Sequence, residues 1–97
     1  MPVFLIERNF AEQVEATKDG VAAINRVNED VGVQWLISFL SADKKKTYCL
    51  YEAPNAEAIY EAARRAGLPA DVIIPVSEIQ PNGVTGAVRQ ERFGLAD

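Results

Sequence analysis

The sequence predicts an α+β domain with the element order βαββαβ. Four short runs rich in strand-forming residues are interleaved with two helix-like segments, and only a polar loop at 41–46 separates the second and third runs. A length of 97 residues suits one domain that can bury a real core. The hydrophobic fraction of 48% is typical of globular proteins and argues against disorder or a fibrous repeat.

The first strand and helix are expected in the amino-terminal third of the chain. Residues 3–6 are a short apolar run, and this length favours a buried strand. Asn9 and Glu12 then match a capping box, which predicts that a helix begins there and continues to about residue 28. Gly20 falls inside this helix, where glycine costs about 1 kcal/mol relative to alanine, so we expect a bend or a soft spot.

A β-hairpin is expected in the middle of the chain, with strands at 33–40 and 47–53. Side chains alternate between the two faces of a strand, so odd and even positions of the first strand are separated. The odd positions are Trp35, Ile37 and Phe39, and the even positions are Leu36, Ser38 and Leu40. Both sets are largely apolar, which predicts a strand that is covered on both faces.

The second helix and the last strand have clear boundaries. Pro54 ends the preceding strand, and Asn55 is expected to cap the helix that follows. Gly67 and Pro69 end that helix. Residues 72–76 are the last strand, which belongs at a sheet edge because proline at position 75 has no N–H to donate.

This order, with a central hairpin, is that of the ferredoxin-like fold: a four-stranded antiparallel sheet with two helices on one face. The other sheet face would remain bare, and an exposed apolar patch usually marks an interface. We therefore expect a homodimer of the dimeric α+β barrel type, in which the two sheets pack together. The domain is expected to span 1–79, and 80–97 a tail that either packs on the partner subunit or is partly disordered.

Composition excludes several classes of function. The net charge of −4 disfavours binding to nucleic acid or to anionic lipid. No apolar stretch approaches the length of a membrane span, and the first residues lack the pattern of a signal peptide, so we expect a cytoplasmic protein. The chain has no histidine and a single cysteine, Cys49. The commonest general base and the commonest ligands for zinc, copper and nickel are therefore missing, and we expect no metal and no cofactor.

Four segments carry a resemblance to a known family. They are VFLIER at 3–8, WLISFL at 35–40, KTYCLYEAPN at 46–55 and AIYEAARRAGLP at 58–69. The succession of YCLYEAPN and RRAGLP is the most specific part, because neither a strand nor a helix requires those residues. The chain is similar to a bacterial family of small ferredoxin-like domains of unknown function, whose best-described members look like nickel-binding homodimers.

The resemblance also implies where this chain departs from its relatives. In the nickel-binding members, the strand after the tryptophan and the middle of the second helix look to contribute histidines. The matching positions here are Ile37 and Ala62, which offer no ligand atom. We therefore expect that nickel binding is lost and that these two side chains pack against each other.

The leading interpretation is a non-enzymatic protein that binds a small molecule, or nothing strongly, in the place where the relatives hold nickel. Any ligand cavity is expected between the sheet and the helices or between two sheets. The candidate ligand-binding residues are Trp35, Ile37, Tyr48, Tyr51 and Ala62. One alternative is a cofactor-independent enzyme, resembling small dimeric α+β barrel monooxygenases or isomerases, in which Glu7, Glu52 or Tyr51 transfers protons. Another is a structural or protein-interaction module.

Two further features have alternative interpretations. Cys49 lies in an apolar run and is expected to be buried and inert, whereas a nucleophilic role would need a lysine or a carboxylate nearby. Glu7, Arg8 and Glu52 lie at the ends of strands that should be neighbours. They are expected to form a cluster beside the sheet, either a structural ion pair or a site of proton transfer.

Overall fold

The computed structural model describes residues 1–79 and Pro81. Its elements are β1 Val3–Asn9, α1 Lys18–Val31, β2 Gln34–Leu40, β3 Lys46–Glu52, α2 Ala56–Ala66 and β4 Val72–Val76. The four strands form one sheet in the order β2-β3-β1-β4, and every neighbouring pair is antiparallel. The predicted α+β, ferredoxin-like order βαββαβ is confirmed. The expected tail at 80–97 lies outside the described residues, apart from Pro81.

The core lies between the helices and one face of the sheet, here called the helix side. Phe4 and Ile6 of β1 are buried there beside Cys49 and Tyr51 of β3. From α2, Ile59 packs into the same cluster and is almost completely buried. Within the described chain, neither helix has the length and apolar character needed to cross a membrane.

The expected helix start at Asn9 is wrong, because β1 continues through this residue. Asn9 is the last residue of the β1–β3 ladder, and its N–H donates to Asp71 Oδ2 at 2.7 Å. Residues 10–17 then form a loop against the β2–β3 turn, where the Val14 N–H donates to the Lys44 carbonyl at 2.7 Å. These long-range hydrogen bonds outweigh a local capping pattern that is worth only about 1 kcal/mol.

Thr17 caps α1 instead. Its Oγ1 accepts a hydrogen bond from the Gly20 N–H at 3.0 Å, so Gly20 lies in the first turn and not in the helix interior. A Cβ at residue 20 would lie 3.0 Å from Thr17 Oγ1, which is tighter than ordinary contact. The absence of a Cβ at Gly20 thus leaves room for the Thr17 side chain to cap the helix. Because Gly20 lies in the first turn, it does not produce the expected bend or soft spot in mid-helix.

A β-bulge at Leu36 interrupts the alternation of β2. Trp35 pairs with Tyr51 of β3, but the next paired residue of β2 is Ile37, which pairs with Leu50. Leu36 is therefore the extra residue on the bulged strand. Such an insertion reverses the faces to which all later side chains of the strand point.

The expected grouping of Trp35, Ile37 and Phe39 on one face is consequently wrong. Trp35 lies on the helix side with its partner Tyr51, whereas Ile37 and Phe39 lie on the opposite face. Trp35 Nε1–H donates to Ser38 Oγ at 2.7 Å, as two residues on the same side of a bulged strand can do. Because of the bulge, Trp35 lies in the interior, whereas Ile37 and Phe39 lie on the outer face of the sheet.

The sheet face opposite the helices, here called the open face, is mostly apolar. By strand register it carries Val3, Leu5, Ile37, Phe39, Tyr48, Leu50, Val72, Ile74 and Val76. Phe39 is 56% exposed and Ile74 is 44% exposed. Both predicted apolar faces of the hairpin are therefore present, but the described residues cover only the helix side.

Candidate functional site

A cavity of about 540 Å³ lies on the helix side of the sheet, between the 10–17 loop with the start of α1 and strands β2 and β3. This volume is within the range of small-molecule sites. Most of the lining is apolar, with contributions from Phe10, Val14, Val21, Ile24, Trp35 and Leu36. The unexpected loop at 10–17 therefore forms one wall, and the bulged strand forms the opposite wall.

Two stacked aromatic rings belong to the lining. The Trp35 and Tyr51 ring centroids are 6.3 Å apart and their planes differ by 6°. Trp35 reaches this position because the bulge follows it, which leaves it on the same side as Tyr51. Parallel, offset rings of this kind present a flat apolar surface.

The Tyr51 hydroxyl is held inside the core and is a poor candidate for a base. Tyr51 is 2% exposed, and its hydroxyl accepts a hydrogen bond from the Nδ2 of buried Asn28 at 3.4 Å. Burial raises the pKa of the Tyr51 phenol above its usual value, although the hydrogen bond from Asn28 and the charge of Arg8 act in the opposite direction. The phenol is therefore neutral at physiological pH.

Arg8 is a buried cation in the cavity wall, a position that was not predicted from the sequence. It is 4% exposed, its Nη1 donates to the Pro69 carbonyl at 2.6 Å, and its guanidinium carbon lies 5.9 Å from the Tyr51 ring centroid. Strand alternation was the available signal, because Phe4, Ile6 and Arg8 are spaced by two residues and share the helix side. An arginine in register with core residues is a candidate for a functional role.

The expected cluster of Glu7, Arg8 and Glu52 is wrong. Glu7 lies on the open face, where its Oε2 is 3.1 Å from Lys46 Nζ, while Arg8 points to the helix side. Glu52 is opposite Val3, at the other end of β1, so it is about 13 Å along the strand from Glu7. Neither glutamate lines the cavity.

Cys49 is buried, as expected. Its Sγ lies 3.7 Å from Thr47 Oγ1, and both residues line the cavity. Among the described residues, no group of three histidine, cysteine or acidic side chains could hold a metal ion. Nickel prefers imidazole or thiolate donors, so a single thiol in an apolar wall does not fit nickel.

The predicted ligand-binding residues are distributed over different parts of the molecule. Trp35, Tyr51 and Ile37 contribute to the cavity lining, with Ile37 at the edge strand. Tyr48 lies on the open face, and Ala62 belongs to the buried core cluster. The expected packing of Ile37 against Ala62 is wrong, because Ile37 pairs with Leu50 on the open face, whereas Ala62 is packed on the helix side.

A family model described as "Nickel responsive protein SCO4226-like" matches residues 4–76. The crystal structure of SCO4226 from Streptomyces coelicolor A3(2) is similar, with a TM-score of 0.60 and 26% sequence identity. The match covers 76% of this chain and 94% of that chain. The curated proteins contain no match to this chain.

Proposed function

The chain belongs to the SCO4226-like family of nickel-responsive proteins. From that membership we propose that it is a non-enzymatic binding protein that has lost the ability to bind nickel. In place of the metal, the cavity on the helix side, which is partly open to solvent, holds a small organic molecule. The observation that carries this proposal is a cavity of about 540 Å³ in a chain without a single histidine.

The loss of nickel follows from the available ligand atoms. The chain has no imidazole groups, and its one thiol is that of buried Cys49. Carboxylates could replace imidazoles only for harder ions such as magnesium or calcium. A single thiolate in an apolar wall gives too few donors for a stable nickel complex.

A binding role is favoured over catalysis because the proton-transfer candidates are badly placed. Glu7 is paired with Lys46 on the open face, and Glu52 also lies on that face. Tyr51 lines the cavity, but burial raises its pKa and keeps the phenol neutral. The cavity therefore offers a shaped apolar space without a ready general base.

We also propose that the protein is a homodimer whose open faces pack together. An isolated chain would leave Phe39, Val72 and Ile74 exposed on one side of the sheet. In the described strands, the charged side chains of this face are Glu7 of β1, which pairs with Lys46 at one end of β3, and Glu52 at the other end of β3. A two-fold axis across the strands would bring Lys46 of one copy toward Glu52 of the second copy, which makes the face self-complementary.

A cytoplasmic location accords with the single cysteine. Cys49 is buried and has no second cysteine with which to form a disulfide within the chain. Proteins that fold without disulfides are typical of reducing compartments.

The loss of nickel is tested by isothermal titration calorimetry with Ni²⁺ on protein purified without added metal. We expect no stoichiometric binding heat, because the described residues contain no group of three ligating side chains. Titration of the Cys49→Ala variant in the same way shows whether any weak heat of nickel binding comes from the thiol. Tight binding of one nickel ion per chain would overturn this part of the proposal.

The use of the cavity is tested with N-phenyl-1-naphthylamine, a neutral probe that becomes fluorescent in apolar surroundings. We expect one probe molecule to bind per chain, and we expect Val21→Phe to weaken this binding because Val21 lines the cavity. Ala22→Phe is the matched control, since Ala22 is exposed on the same helix. Absence of a probe signal, or equal loss in both variants, would contradict the proposal.

A further inference from the structure

We propose that the ligand of this cavity is an apolar monocarboxylic acid whose carboxylate pairs with Arg8, an inference that rests on the proposed small-molecule function. The cavity supplies one buried cation, Arg8, and a wall that is mostly apolar. The chemical class of the ligand follows from two observations. The described residues give Arg8 no anionic partner, and other polar side chains of the wall already form hydrogen bonds.

Among the described residues, buried Arg8 has only neutral partners. Its guanidinium has five N–H donors, and Nη1 donates to the Pro69 carbonyl at 2.6 Å. Its other partner is Tyr51, whose ring centroid is 5.9 Å from the guanidinium carbon and whose hydroxyl also interacts with Arg8. A buried cation without an anion is costly, whereas a carboxylate can accept two parallel hydrogen bonds from the guanidinium.

The described part of the chain places no carboxylate on Arg8. Glu7, its neighbour in sequence, lies on the other face of the sheet and pairs with Lys46. Asp71 accepts the Asn9 N–H. Glu15 also contributes to the cavity lining, but its side chain is 71% exposed and lies 3.8 Å from Lys44. The described residues thus leave the guanidinium open to the carboxylate of a ligand.

Apart from Arg8, the polar side chains of the wall that are not exposed already have partners, whereas Asn25 is exposed to solvent. Ser38 Oγ accepts the Trp35 indole N–H, Thr47 Oγ1 lies within hydrogen-bond distance of the Cys49 thiol, and the Tyr51 hydroxyl accepts from Asn28. A sugar or another polyol would leave buried hydroxyls without partners, which is unfavourable. A phosphate dianion would bring two charges to one cation. A ligand with a single carboxylate on an apolar body matches the single positive charge of Arg8 and the mostly apolar lining of the cavity.

The experiment compares octanoate with octanamide, which have the same chain but differ in charge. Trp35 is the only tryptophan of the protein and lines the cavity, so its fluorescence reports binding. We expect one octanoate to bind per chain, about tenfold or more tightly than octanamide, because a hydrogen-bonded charge pair is lost with the amide. This comparison uses the unaltered protein and does not depend on the folding of a variant.

Variants then assign the effect to Arg8. We expect Arg8→Gln to weaken octanoate binding about tenfold or more and to leave octanamide binding unchanged. Lys46→Gln is the matched control, because Lys46 is a cation on the open face. Circular dichroism establishes that each variant is folded. Octanoate affinity that is unchanged in Arg8→Gln would overturn the proposal.

The other outcomes separate this inference from the proposed function. Octanamide binding as tightly as octanoate would overturn the carboxylate assignment and leave the cavity function standing. The carboxylate assignment also fails if N-phenyl-1-naphthylamine binds and octanoate does not. If none of the three molecules binds, both the inference and the proposed function fail.

Discussion

At the scale of single residues, the site depends on two side chains that strand alternation brings to the helix side. Arg8 continues the spacing of Phe4 and Ile6, and Tyr51 faces them from the neighbouring strand. Tyr51 was a candidate from the sequence because it is an aromatic residue with a polar tip. Its burial and its hydrogen bond to Asn28 could not be predicted, because Asn28 lies 23 residues away in the chain.

The Tyr51 phenol predicts a specific pH dependence of stability. Burial raises its pKa in the folded protein above the ordinary value of 10.0, so the folded state holds this proton more tightly than the unfolded state does. The stabilisation is fully present below pH 10.0 and is lost as the pH rises through the folded-state pKa. The free energy of unfolding, measured with urea at increasing pH, should therefore fall in this alkaline range.

Tyr51→Phe is the variant that identifies the group responsible. At neutral pH we expect a loss of about 1 kcal/mol in the free energy of unfolding, because the Asn28 amide loses its partner. The difference from the unaltered protein should shrink as the pH rises above 10.0, since phenylalanine does not ionise. A constant difference across the alkaline range would contradict the assignment to Tyr51.

At the scale of elements, the two helix starts illustrate how far local sequence signals reach. The Asn55 cap predicted for α2 is confirmed, because its Oδ1 accepts the Ala58 N–H at 2.9 Å. The similar capping pattern at Asn9 does not begin a helix, because β1 pairs with β3 as far as this residue. A cap involves residues that are three apart, whereas a strand extends according to partners that are far away in sequence.

The start of α1 can be tested by mutating the two competing caps. Thr17→Ala should lower the free energy of unfolding by about 1 kcal/mol, because the Gly20 N–H loses its acceptor. Asn9→Ala is the matched control and should have a smaller effect, since Asn9 takes part in the observed hydrogen bonds through its backbone N–H. Both values follow from urea unfolding at neutral pH. A larger loss in Asn9→Ala than in Thr17→Ala would favour the helix start at Asn9.

At the scale of the whole molecule, the open face is the main apolar surface that the described residues leave exposed. The apolar character of both faces of the hairpin is evident in the sequence. The bulge at Leu36 then determines which residues remain outside, so that Phe39 is exposed and Trp35 is inside. The same bulge places Trp35 in the lining of the cavity.

The proposed dimer can be tested by placing a charge on this face. Phe39→Asp should convert the dimer to a monomer, because an unpaired carboxylate would be buried between the two sheets. Tyr60→Asp is the matched control, since Tyr60 is similarly exposed, at 51%, but lies on α2. Light scattering coupled to size-exclusion chromatography gives the mass of each variant. A monomeric unaltered protein, or a dimer that persists in Phe39→Asp, would contradict the proposal.

The sequence by itself determined the number and order of the elements, the hairpin, the α2 caps and the absence of imidazole ligands. These properties depend on composition or on neighbours a few residues apart. The tertiary structure decided the start of α1, the bulge at Leu36 and the placement of Arg8 beside Tyr51 in a cavity wall. They depend on hydrogen bonds and packing between segments distant in the chain, because a strand continues or bulges according to the partner it meets.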